Sequence, residues 1–118
     1  MPQQFASGDF LIFQLESGYG LLRVLATDEG LNGPIWHLTA YRDLFLDVEM
    51  ADAALDKGEF SISHPHIALT NRAFESTQVA RLRNRPLTED ELVDFNQLKQ
   101  NKNLKISDRS VRLMIGLR

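Results

Sequence analysis

The sequence predicts a single β-rich α+β domain over residues 1–118: a small, strongly bent antiparallel sheet or a partly open barrel, with one short and one longer helix. Three observations carry this. Short apolar and aromatic segments, broken by glycine and proline turns, fill the first two-thirds of the chain. One capping box, Thr88-Glu89-Asp90-Glu91, opens an amphipathic run. A final stretch, Ser110 to Leu117, alternates apolar and other residues.

Taken in order, Phe10 to Leu15 and Tyr19 to Ala26 read as a hairpin around Glu16-Ser17-Gly18, with a bulge or sharp bend at Gly20. Thr27 to Pro34 reads as a polar loop because two glycines and a proline interrupt it. A third strand runs from Ile35 to about Leu44. Trp36, Leu38 and Ala40 alternate there with His37, Thr39 and Tyr41, which places Trp36 in the core and Tyr41 at the surface. Asp47 caps a short helix, Val48 to Lys57, that Gly58 ends, with Val48, Ala51, Ala54 and Leu55 on one face.

Glu59 to His64 is a fourth strand that Pro65 interrupts, so it is an edge or a bend. Ile67 to Thr70 resumes an extended path, and Asn71 to Ser76 is a turn or one helical turn. Gln78 to Leu82 is a short fifth strand. The capping box starts a helix from Glu89 to about Gln100, with Leu92, Phe95 and Leu98 as its stripe. Asn101-Lys102-Asn103 ends it before the last strand.

The 118 residues suffice for one core, and 43% apolar with 25% charged residues argues against disorder. There is no cysteine, which removes disulfides, thiolate nucleophiles and cysteine-bound zinc. Without a basic start, a signal-like apolar run or a stretch long enough for a membrane span, a cytoplasmic protein with no membrane partner is expected. Residues 1–60 carry net −7 and residues 61–118 net +4. Pairing between the halves is the simplest use of that asymmetry, and a polar contact surface is the other.

Gly8-Asp9-Phe10-Leu11-Ile12-Phe13, followed by Gly18-Tyr19-Gly20-Leu21-Leu22-Arg23-Val24-Leu25, resembles bacterial toxin-immunity proteins of the small SH3-like β-barrel type. The likeness covers roughly residues 8–26. It implies a compact β-barrel-like domain that neutralises a partner by binding it. No functional residue carries over.

Chemistry-bearing patterns are few. His64 and His66, two apart on an extended chain, are the candidates for a metal, yet only His37 is left as a third histidine, so no metal or cofactor is expected. Ser63 beside His64 should face the opposite way, which would prevent a local base–nucleophile pair. No nucleophile elbow, zinc-protease helix or phosphate-cradling loop occurs. No catalytic residue is therefore assigned.

Arg81-Leu82-Arg83-Asn84-Arg85 would place three arginines on one strand face, and Arg72 lies upstream. Aromatics and arginines anchor protein interfaces, so Tyr19, Tyr41, Arg72, Arg81, Arg83 and Arg85 are the expected partner-binding residues. The expected function is non-catalytic protein binding, by a monomer or small homo-oligomer. The alternative is a small nucleic-acid-binding barrel using the Arg81, Arg83 and Arg85 row.

Overall fold

The computed structural model describes residues 5–16, 18–30, 33–58, 60–99 and 106–108. Its elements, in chain order, are β1 Asp9–Leu15, β2 Gly18–Gly30, β3 Gly33–Tyr41, α1 Val48–Lys57, β4 Ile62–Thr70, α2 Asn71–Thr77, β5 Ala80–Asn84, α3 Glu89–Lys99 and β6 Ile106–Ser107. The fold is α+β and strand-rich. One open six-stranded sheet has the order β5-β1-β2-β3-β4-β6. Every pairing is antiparallel except β4 with β6, which is parallel. The expected strand from Ser110 to Leu117 lies outside the described residues.

Alternation along the strands gives the sheet two buried faces. Leu11, Phe13, Leu22, Val24, Trp36 and Leu38 point to one face, where Ala73 and Phe74 of α2 meet them. Trp36 stacks on Phe74 with ring centres 4.1 Å apart, and its indole N–H donates to Asn71 Oδ1 at 3.0 Å. Truncating a buried ring of this kind to alanine costs about 3–5 kcal/mol. Phe10, Ile12, Leu21 and Tyr41 point to the other face, under Ala51 and Leu55 of α1. Arg23 and His37 share that second face, and α3 lies over them.

Several expectations change once pairing partners are known. Residues 27–30 and 33–34 extend the β2–β3 ladder instead of forming a loop, because Thr27, Asp28, Glu29 and Gly30 find Trp36, Ile35, Pro34 and Gly33 opposite. Gly20 pairs regularly with Phe13, and a Cβ there would collide with the Phe13 ring. Close approach explains this glycine, and the bulge lies at Leu25 instead, between the Val24 and Ala26 pairings. Pro65 sits inside β4, where the register shifts between the Leu38–Ile67 and Ala40–His64 pairs. The shift removes the need for its missing N–H, and its carbonyl accepts from Thr39 Oγ1 at 2.9 Å.

The local signals for helices act as expected. Asp47 accepts from the Met50 N–H at 2.8 Å, and Gly58 ends α1 at φ 68°. Val48 is an exception to the predicted apolar face, because it remains exposed. In the capping box, Thr88 Oγ1 accepts from the Glu91 N–H at 3.3 Å, and Glu91 Oε1 accepts from the Thr88 N–H at 3.1 Å. Thr70 caps α2, a full helix where one turn was expected. Among the described residues, no helix is long and apolar enough to cross a membrane.

Candidate functional site

The connection from β3 to α1 is held at several points and buries Phe45, yet turns its aliphatic side chains outward. Arg42 N–H donates to Ser61 O at 2.9 Å, and Asp43 accepts from the Ser61 N–H. Phe45 exchanges two backbone hydrogen bonds with Tyr19, at 2.7 and 3.0 Å, and is buried. Asp47 is fixed as the helix cap. Between and beyond these anchors Leu44, Leu46, Val48 and Met50 are all exposed, Leu46 by 76%.

Leu46 precedes the cap, the position from which an apolar side chain ordinarily packs onto the fourth helical residue. That residue, Ala51, is fully buried elsewhere, and Leu46 faces solvent. Four large aliphatic side chains within seven residues form an apolar ridge on an ordered backbone. Asp43, Asp47 and Glu49 interleave with them, and exposed Glu16 lies in the β1–β2 turn. Negative charge therefore predominates along the ridge, with exposed Arg42 at its start.

The arginine row is arranged differently from the single face expected. A register shift on β1, between Phe10 and Leu11, pairs Leu11 with Arg81 and Phe10 with Arg83. Since Leu11 and Phe10 serve opposite faces, the bulge at Leu82 sends the two arginines to opposite sides. Arg81 Nε donates to buried Asp9 at 2.9 Å and lies near the Phe5 ring. Arg83 pairs with Asp52, and with Asp56 at 2.6 Å. Arg85 pairs with Asp56 at 3.1 Å and donates to Leu55 O at 2.8 Å.

These pairings join the basic second half to the acidic first half. Burial pushes the Asp9 carboxyl up, but donation from the Ala6 N–H, Asn84 and Arg81 outweighs it and leaves the group below its usual range. Hydrogen bonding and charge from Arg83 lower Asp56 in the same direction.

Arg23 is 2% exposed and carries the polar heart of the second face. Its Nε and Nη2 donate to the two Glu91 carboxylate oxygens at 2.8 and 3.1 Å, Nη1 to Gly8 O at 2.6 Å and Nη2 to Pro86 O at 3.2 Å. The guanidinium lies 4.0 Å from the Phe10 ring centre. Burial raises Glu91, but Arg23 and the Thr88 N–H hold it below its ordinary value. A cleft of about 310 Å³ opens above this group, between Phe60 and Pro86. Tyr41 lines it, and burial with the nearby Glu91 charge pushes its phenol up to about 12.

Of the residues singled out from sequence, Tyr41 is corrected most clearly: it is 4% exposed and packs against Phe10 and Phe60. Tyr19 is half-buried beside Phe45. Arg72 is exposed and pairs with Asp108. His64 and His66 go to different partners. His64 Nδ1 meets Ser63 Oγ at 3.0 Å, so these neighbours do converge, contrary to strand alternation, beside the irregularity at Pro65. His66 Nε2 instead meets His37 Nδ1 at 2.8 Å, and His37 Nε2 meets Asp28 at 2.7 Å.

Among the described residues, no carboxylate orients His64, and no group of three histidine, aspartate or glutamate side chains has the geometry to hold a metal. Sequence reasoning passed over the Leu44–Met50 ridge, Arg23 and the Asp28–His37–His66 chain. The ridge had a signal: DLFLDVEM places four aliphatics among three acids. Arg23 and His37 had one too, as the one ionisable side chain in LLRVLA and in IWHLTA. No protein-family model, curated protein or solved structure matches this chain.

Proposed function

We propose that this chain is a non-catalytic protein-binding module that acts in the cytoplasm and occludes a partner protein with the Leu44–Met50 ridge. The observation that carries the reading is the exposure of Leu44, Leu46, Val48 and Met50 on a backbone already fixed at Phe45 and Asp47. A ridge ordered before contact loses little conformational freedom on binding. Leaving a leucine in water forgoes roughly 1.5–3 kcal/mol that burial would return.

The rim selects the partner's chemistry. Asp43, Asp47, Glu49 and Glu16 favour an apolar groove edged by lysine and arginine. The likeness of residues 8–26 to immunity proteins of the SH3-like barrel type agrees with binding by occlusion. Nucleic acid is disfavoured because Arg81, Arg83 and Arg85 already meet Asp9, Asp52 and Asp56.

Replacing Leu46 with a photo-crosslinking residue in the source cell tests this. One defined protein adduct, mapped to a peptide rich in lysine or arginine, is expected. No adduct at Leu46, together with a nucleic-acid adduct from the same residue placed at Arg83, would overturn the reading.

A further inference from the structure

The cleft above Arg23 contains a group that neither the fold nor the ridge uses. We propose that this cleft binds a small neutral aromatic amide, whose ring lies against Phe10, Tyr41 and Phe60 and whose carbonyl oxygen takes the Tyr41 O–H.

Tyr41 is 4% exposed, and a tyrosine so deeply placed ordinarily gives its O–H to an acceptor. Among the described residues, its hydroxyl has no hydrogen-bond partner. The other polar side chains of the lining are all engaged. Arg23 donates to Glu91, Gly8 O and Pro86 O. Glu91 also accepts from the Thr88 hydroxyl and N–H, and Thr88 Oγ1 accepts from the Glu91 N–H. Arg85 donates to Leu55 O and Asp56. Tyr41 thus stands in the wall of a cleft of about 310 Å³ with a donor to offer.

The remaining lining is apolar and mostly aromatic. Phe60 stands edge-on to both Phe10 and Tyr41, with ring centres 6.0 and 4.9 Å away. Ile62, 49% exposed, and exposed Pro86 carry this surface toward solvent. Ligand sites span roughly 300–1,000 Å³, so this cleft matches one ring with one polar substituent. Ring faces and edges on several sides favour an aromatic body over an aliphatic one.

The charge around the hydroxyl selects the substituent. Burial, and after it the Glu91 carboxylate, push the phenol up to about 12 against the opposing charge of Arg23, so the group stays a donor at neutral pH. Because Glu91 outweighs Arg23 there, a carboxylate on the ligand would meet repulsion. A carbonyl accepts the O–H without bringing charge. Amide N–H donors suit the negative side that Glu91 presents.

Titration of the full chain with benzamide at pH 7, followed by backbone and ring NMR, tests the site. Shifts at Phe10, Tyr41, Phe60 and Ile62 should saturate together with a Kd of about 1 mM, ordinary for so small a ligand. Benzoate should bind at least about tenfold more weakly, since its charge is the one that the site repels. Tyr41→Phe keeps the ring and deletes the hydroxyl, so it should weaken benzamide about tenfold. Its urea midpoint should not fall, because no hydrogen bond within the chain is lost.

Absence of saturable shifts at these four residues up to about 20 mM benzamide would overturn the proposal. So would equal affinity in Tyr41→Phe, or benzoate binding as tightly as benzamide. A lowered urea midpoint, or failure to fold, in Tyr41→Phe would overturn it by showing that the hydroxyl belongs to the fold.

Discussion

The arginine row and the apolar ridge differ in what the rest of the chain does with them. Along residues 81–85 each arginine meets an acid from the first half of the chain, and a β-bulge divides the row between two faces. Along residues 44–50 the backbone is anchored at Phe45 and Asp47, yet Leu44, Leu46, Val48 and Met50 reach water. Charge that looks like a binding surface is spent internally, while aliphatics that look like core remain available. A basic cluster indicates a partner only after its intrachain acids are known.

The comparison breaks first at Asp9. If Arg81 belongs to the fold, Asp9→Ala should cost about 3 kcal/mol, since it strands the Ala6 N–H and Asn84 as well as the arginine. Urea unfolding measures this, and a negligible change would show that the cluster around Asp9 does not hold the fold. Next, Leu46→Glu should weaken the partner complex about 100-fold, equivalent to about 2.7 kcal/mol, through apolar loss and repulsion within the acidic rim. Its urea midpoint should not move, because the side chain touches solvent.

The pH dependence sharpens the same contrast. Asp9 and Glu91 have folded values below their unfolded ones. Their stabilisation is complete above the ordinary carboxylate range and is lost as pH falls below about 4. Tyr41 has the opposite sign: its folded value of about 12 exceeds the unfolded value near 10, so stability falls as pH rises through that interval. Circular dichroism at the two limits, with phenolate absorbance at the upper one, checks both. The smallest effect belongs to Arg81→Ala/Arg83→Ala, which should change partner affinity by less than about threefold if the row lies outside the interface.

How much could be read in advance follows from the range of each interaction. The caps at Asp47, Gly58 and Thr88–Glu91 act within four residues, so the sequence displays both halves of each. The β1–β2 hairpin is legible for the same reason. The bulges at Leu25 and Leu82 and the passage of Pro65 through β4 depend on partners well outside that four-residue window. Arg23 was hidden because its carboxylate, Glu91, lies 68 positions along the chain. The ridge was hidden because apolar periodicity reads as burial, whereas the anchors at Phe45 and Asp47 turn those side chains outward.

The most direct measurement is amide exchange of the chain with and without its crosslinked partner. Slowed exchange across residues 42–51, with no change across 80–85, is the predicted footprint. Protection of 80–85 with residues 42–51 unchanged would contradict it.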